Sequence, residues 1–306
     1  MARAAGRSLR ILALVAGLLP AASPAAAAED WPDGLLSPER TIQSLLSPPA
    51  PGAPPRLVQL FQATSMAASG DQLVIYDRGQ QQLVRVDIAS NQARVIATAG
   101  PLAPWRVRPM PSQDVLLVAR DASQVRQLTP SGSVRQSFAS VELTQPVDAA
   151  FDPRHNSVLV IDFDGRLHEF SMLGVLHRTS TLLSERGTTP SALVRGPDSY
   201  FLADTACACI IELDDAGLPL RLIGQGEFPQ LGDLAVDGFG RLWTTDFAGQ
   251  TLRMTHADET SSSVAANRLG IANIASIAID QNRLFVAERG TGRILVFVIS
   301  PPGNHQ

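Results

Sequence analysis

Lysine is missing altogether from this 306-residue chain, so its 25 basic residues are all arginine, set against 29 acidic ones. Three of them, Arg3, Arg7 and Arg10, fall in the first ten residues, and without these three 22 basic residues face 29 acidic ones, a net charge of −7. No arginine cluster supplies the basic face that neutralising phosphates requires, so no nucleic-acid partner is expected. Cysteine is almost absent too. Only Cys207 and Cys209 occur, with no paired Cys-x-x-Cys and no His-Glu-x-x-His among the five histidines, His155, His168, His177, His256 and His305, so no metal site is expected. Gly-x-Ser-x-Gly, P-loop and dinucleotide fingerprints are equally missing. Nucleophilic hydrolysis, nucleotide hydrolysis and hydride transfer thus lack a local signature, and no cofactor is implied.

Long apolar runs are also missing. The run at residues 11–19 follows the three arginines and precedes Pro20 and a small-residue tract ending Ala26-Ala27-Ala28, the layout of a secretory signal peptide over residues 1–28 with cleavage after Ala28. Its nine residues are about half of the roughly twenty that span a bilayer, so no retained membrane span is expected. No cysteine follows the cut, which disfavours a lipid anchor. The mature protein is expected to be periplasmic or secreted. Residues 29–56 read as an arm or linker, because Pro32, Pro38, Pro48, Pro49, Pro51, Pro54 and Pro55 crowd a stretch without sustained alternation. Within it, residues 41–46 suit one or two helical turns.

What is present is a repeat. Acidic residues end short apolar runs at Asp77, Asp162, Asp204, Asp246 and Glu288, with Arg120 filling the one gap, at steps of 43, 42, 42, 42 and 42 residues. A fixed period of this size marks a repeat architecture. Each unit runs first strand, turn, apolar second strand, polar turn, alternating third strand, weaker fourth. Second strands such as Val158-Leu159-Val160-Ile161 are apolar at consecutive positions, as a strand covered on both faces must be. Glycines recur before the fourth strand at Gly132, Gly174 and Gly217, where tight hairpins need positive φ. The last unit lacks a fourth strand because Pro301-Pro302 intervene, and Leu57-Val58-Gln59-Leu60-Phe61 is left without a partner. The expectation is an all-β, six-bladed propeller over residues 57–302, followed by a tail at 303–306. An N-terminal strand, residues 57–61, completes its last blade and removes the exposed edge.

These units resemble those of six-bladed NHL-repeat propellers, whose pattern is apolar strand, Asp, polar turn, Arg-Ile, apolar strand. Leu284-Phe285-Val286-Ala287-Glu288 followed by Arg293-Ile294-Leu295-Val296-Phe297 is the nearest copy. Leu242-Trp243-Thr244-Thr245-Asp246 is similar to the Tyr-Trp-Thr-Asp repeat of another six-bladed family. The resemblance implies that the recurrent acids are structural, accepting backbone hydrogen bonds that set the blade spacing.

Aligning the first strands brings Ser65, Arg106, Asp148, Ser191, Asp233 and Ser276 into register, at steps of 41, 42, 43, 42 and 43. At the start of innermost strands, these six polar residues would ring the channel mouth, the default place for a ligand. One reading is a hydrated channel. The other uses the arginines of blade two, Arg106 and Arg120, to grip a small anionic ligand, while Arg106 pairing with Asp148 is a further alternative. Asp148 and Asp233 also qualify as an acid/base pair. Gluconolactonase-like and amidating-lyase-like propellers hold a channel metal with acid, Asn or His ligands; two Asp, three Ser and an Arg make a poor cation cage. For Cys207 and Cys209 a disulfide, free thiols, or a redox or metal role all stand open, since residues two apart in a straight strand lie about 7 Å apart and a bridge needs a bent backbone. The functional expectation is an exported binding or assembly module for an envelope protein or small ligand. The alternative is a hydrolase or lyase working in the mouth.

Overall fold

Consecutive apolar, branched side chains bounded by turns fit a strand buried on both faces, and blade three is the plainest example. In the computed structural model, which describes residues 34–48, 54–98, 106–228 and 230–302, Ser157–Asp162 is buried at every position. Pro146–Asp152 flanks it on the axial side, and Leu167–Ser171 and then Leu176–Ser180 lie outward, all antiparallel. The expected signal peptide and the tail at 303–306 lie outside the described residues.

Six sheets share this order. Their inner strands are Ala63–Ser69, Arg106–Pro109, Pro146–Asp152, Pro190–Arg195, Leu231–Val236 and Ile274–Asp280. Each touches the next and the sixth touches the first, so the sheets form a ring. One buried apolar cluster fills each of the six seams. Between blades six and one, Met66 and Ile75 meet Phe285 and Val296; between one and two, Ala67 and Tyr76 meet Val107 and Leu117. Burying a Val, Leu, Ile, Phe or Met side chain contributes about 1.5–3 kcal/mol, so the seams are the main source of stability. Gly132, Gly174 and Gly217 take φ of +91°, +77° and +75°. A Cβ on Gly132 would sit 1.8 Å from the Ile96 carbonyl of blade one, so this glycine serves both its own turn and the neighbour's approach.

Ring closure differs from the sequence expectation in which strand performs it. Residues 57–61 do not complete blade six. Leu36–Ile42 does, pairing antiparallel with Ile294–Ile299, inside the stretch read as an arm. Residues 41–46 are correspondingly extended, not helical. Leu57–Val58 instead pairs with Leu45–Leu46, which lies parallel to the outer strand of blade one. The closing strand escapes a pattern search because it is an outer strand. It buries Ile42 at one end, next to buried Leu35 at the other, while its middle is exposed, so backbone pairing to a free edge holds it rather than alternation. Pro38 is tolerated there with a bulge between Pro38 and Arg40, as proline is on edges. The Arg40 guanidinium then donates to the Ile88 carbonyl of blade one, fastening the strand across the last seam.

Ile42 is 1% exposed and Leu57 63%. Ile42→Ala is therefore expected to cost about 2–4 kcal/mol in urea unfolding, and Leu57→Ala no more than about 0.5 kcal/mol. The reverse ranking would return closure to residues 57–61.

Candidate functional site at the channel mouth

The recurrent acids end the second strands and bond to the loop that enters their own blade or to the turn that follows them. Asp77 accepts from the Phe61 N–H at 2.8 Å and the Gln62 N–H at 3.0 Å. Asp204 accepts from the Thr189 N–H at 2.7 Å and the Ala206 N–H at 2.9 Å. Glu288 accepts from the Ala272 N–H at 2.9 Å, from the Thr291 hydroxyl and from Arg293 Nε. Asp162 accepts from the Arg166 N–H and lies 3.0 Å from His168 Nε2, and Asp246 accepts from the Gln250 N–H. All five tie loops to strands.

Strand register moves two of the sequence-aligned positions. In the five acid-bearing blades the strand residue opposite the acid is Ala63, Pro146, Pro190, Leu231 or Ile274. The axial position is two residues further on, at Ser65, Asp148, Asp233 and Ser276. In blade four that residue is Ala192, and Ser191 is one place out of phase; its hydroxyl donates sideways to the Ala203 carbonyl at 3.4 Å. In blade two Arg106 faces Val118, so Ala119 holds the acid's place. Arg120 belongs one step later, level with Arg78, Phe163, Thr205, Phe247 and Arg289. A one-residue slip is invisible to a period count but decides which way a strand side chain points.

The remaining axial residues do come together, and they satisfy one another. Arg106 Nη1 donates to Asp233 Oδ1 at 2.6 Å, and its Nη2 donates to the carbonyls of Ser191 at 2.7 Å and Gly232 at 3.0 Å. Arg108 grips Asp148 with both Nε, at 2.9 Å, and Nη2. Its Nη2 also lies 3.5 Å from Asp233, and Arg106 Nε lies 3.6 Å from Asp148. Sequence alignment passed over Arg108, although its place two residues after Arg106 puts both on one face of a strand. An alternation links the blades around this quartet. Ser65, Asp148 and Asp233, in odd blades, accept the N–H of Val107, Leu193 and Ile277, in even blades, at 2.9, 2.8 and 3.2 Å. The Ser276 hydroxyl also donates to Asp233 at 2.9 Å. Burial alone would raise the Asp233 carboxyl, but Arg106 and Arg108, with the Ser276 hydroxyl and the Ile277 N–H, hold it below the usual carboxylate range. Burial works against Arg108's charge in turn, and Asp148 and then Asp233 outweigh it.

Two cavities flank the quartet. Below it, Met66, Phe151, Val194 and Ile279 line an apolar space of about 140 Å³. Above it, at the mouth, a space of about 240 Å³ is lined by Thr64, Tyr76, Arg78, Arg106, Arg120, Asp233, Asp246, Phe247 and Arg289 among others. The residues following the acid position thus supply its rim. Phe247 is 71% exposed, and Arg289 Nη2 donates to its carbonyl at 3.0 Å. Arg120 lies 4.7 Å over the Phe163 ring.

Cys207 and Cys209 form a disulfide at the turn after the second strand of blade four, with Cα atoms 5.2 Å apart. Ala208 between them takes φ of +50°, which supplies the bend. Asp204 lies beside both sulfurs, but bonded sulfurs offer no thiolate to a metal.

Fold and axial site together define a six-bladed β-propeller with a salt-bridged core and a polar mouth. No protein-family model matches the chain, and no curated protein matches it. Solved structures do. A catalytically inactive virginiamycin B lyase from Staphylococcus aureus with quinupristin is similar at 11% identity and a TM-score of 0.61, over 81% of this chain and 86% of the other. A Bacteroides thetaiotaomicron protein of unknown function is similar at 12% identity and a TM-score of 0.62, over 79% and 70%. The WD40 propeller domain of Doa1 is similar at 12% identity and a TM-score of 0.56, over 80% and 94%. At such identities the likeness shows the propeller fold and carries no residue's role across. Among the described residues no helix is long and apolar enough to cross a membrane.

Removing Asp148 would strand a buried arginine, so Asp148→Ala is expected to cost about 3–5 kcal/mol in urea unfolding. A depressed carboxyl contributes stability that is complete above its unfolded value, about 3.9, and is lost as the pH falls through its lower folded value. Asp233→Asn should therefore show a shallower fall of Tm below about pH 4 than the parent protein. The fall will not vanish, because Glu288 is also held low: burial opposes this, and the Ala272 N–H, Thr291 and Arg293 outweigh it. Superimposable acid limbs would refute this role for Asp233.

Proposed function

We propose that the protein is an exported, NHL-like propeller that serves in the envelope as a binding module, with the channel mouth as its recognition face. One observation carries this reading. The axial groups that could have performed chemistry are spent on one another: Asp148 and Asp233 are each salt-bridged to arginine and accept backbone N–H bonds. A carboxylate whose oxygens are taken up by guanidinium and backbone donors is poorly placed to act as a general base. Ser65 accepts a backbone N–H, and the carboxylate to which Ser276 donates is already shared with Arg106 and the Ile277 N–H, which weakens it as an activating base. Among the described residues the hydrolase or lyase alternative is left with Ser276 and Asp233, a pair whose carboxylate is held by arginine. The rim, in contrast, presents exposed arginine and phenylalanine side chains on a rigid ring, the residue types enriched where proteins bind. Export rests on the signal-like first 28 residues.

The test is native mass spectrometry of full-length protein purified from its own envelope fraction. The parent and the blade-edge variant Leu220→Ala are expected to retain a bound molecule or partner that Phe247→Ala loses. Retention by Phe247→Ala together with loss by Leu220→Ala would move the recognition face to the edge of blade four. Recovery from the cytoplasm would remove the export claim, and turnover of the retained molecule would restore the enzyme.

A further inference from the structure

We propose that the mouth takes a small, multiply charged oxyanion, a molecule bearing carboxylate or phosphate groups, on an arc formed by Arg78, Arg120 and Arg289 with the Tyr76 hydroxyl as donor at its floor. This inference rests on the mouth being the recognition face. Four features of the cavity point to it.

Its charge is the first. Among the described residues the lining carries Arg78, Arg106, Arg120 and Arg289 against Asp233 and Asp246, an excess of two positive charges in a chain of formal net charge −4. Asp233 is already neutralised by Arg106 at 2.6 Å, so the excess belongs to the rim. Secondly, the three rim arginines come from consecutive blades, six, one and two, at equivalent positions of the repeat, and therefore sit side by side along one stretch of the rim. Two have fixed directions, Arg289 through the Phe247 carbonyl and Arg120 over Phe163. Arg78 is exposed, and neither it nor Arg289 forms an ion pair among the described residues. Guanidinium forks match carboxylate and phosphate oxygens in pairs.

The third feature is independent of charge. Tyr76 lines the cavity and is 2% exposed, yet its hydroxyl is buried without a hydrogen-bond partner among the described residues. A buried hydroxyl without a partner costs free energy, and a ligand oxygen at the cavity floor would supply one. Burial also raises the phenol's pKa, against a smaller opposing effect of Arg78, so it stays a donor. In the equivalent places the other blades have Val118, Ile161, Ala203, Thr245 and Ala287, which makes the hydroxyl particular to the blade that also carries Arg78. Fourthly, Phe247, on blade five beside Arg289, adds an apolar side chain to the lining, suited to the carbon frame of such a ligand. A neutral sugar would leave the arginines unmatched, and a cation would be repelled.

Isothermal titration of the full chain with citrate, pyrophosphate, inorganic phosphate and glucose tests the assignment. Citrate or pyrophosphate is expected to bind at one site with micromolar affinity that weakens with added salt, and the tighter of the two identifies carboxylate or phosphate as the source. Glucose should not bind. Tyr76→Phe and Arg78→Gln should each weaken that binding roughly tenfold or more. Because the hydroxyl has no partner among the described residues, Tyr76→Phe should leave Tm within about 4 °C of the parent; a larger fall would reveal a structural role and overturn the proposal. Millimolar binding indifferent to Tyr76→Phe would mark an adventitious ion only, with the same consequence. If no probe binds while Phe247→Ala still releases the native partner, the oxyanion assignment fails and the binding reading survives. If neither occurs, both fail.

Discussion

Everything at the centre of this ring turns on one cluster of charges, Arg106 and Arg108 of blade two against Asp148 of blade three and Asp233 of blade five. The Arg106–Asp233 contact joins residues 127 apart in sequence, across the axis instead of around it. Such a cluster adds little net stability over an apolar plug of similar volume, because desolvation offsets much of the Coulomb attraction. Its effect lies in what it forbids. Arg108, Asp148 and Asp233 are buried and Arg106 is partly buried, so rotating or shifting any of these inner strands leaves an unpaired ion, and the blades are held at one angular setting. The alternation of side-chain acceptors in odd blades with backbone donors in even blades extends that setting to all six.

Axis and seams accordingly divide the labour. Six apolar clusters provide the bulk of the driving force, and they are tolerant, since one seam of Val, Ile and Phe resembles another. The polar centre is intolerant and selects among otherwise similar packings. The closing strand belongs to neither group. It is a solvent-facing strand anchored by Leu35 and Ile42 and held by main-chain bonds along an edge that would otherwise invite association.

The proposed recognition face lies where the repeats stop being equivalent. The residue that follows the second strand is not fixed by the strand ladder, and in five blades the acid in front of it already ties loop to strand; the blades differ there, as Arg78, Arg120, Phe163, Thr205, Phe247 and Arg289. That variation produces an asymmetric rim, cationic on blades six, one and two and flanked by Phe247 and Phe163, above a core already discharged. A rigid ring holds these side chains in place before any ligand arrives, which lowers the ordering cost of binding.

The 42-residue period, the doubly buried second strands and the turn glycines were all legible in the chain, because each is a local consequence of burial pattern or of φ. So was the existence of a polar axis, although not its membership: Arg108 was hidden because a period count follows one position per unit and ignores its neighbour on the same face. Blade four shows the limit most clearly. Ser191 and Ala192 are adjacent in sequence, and only strand pairing reveals that the alanine faces the axis. Which strand closes the ring was likewise undetermined, because an outer strand is held by backbone bonds that carry no side-chain signature. The pairing of charges across the channel, and the orphan hydroxyl of Tyr76 beneath three side-by-side rim arginines, arise only when distant blades meet. Sequence alone settles what each strand must bury; tertiary structure decides which charges find each other, because that depends on distances across the axis that no local pattern encodes.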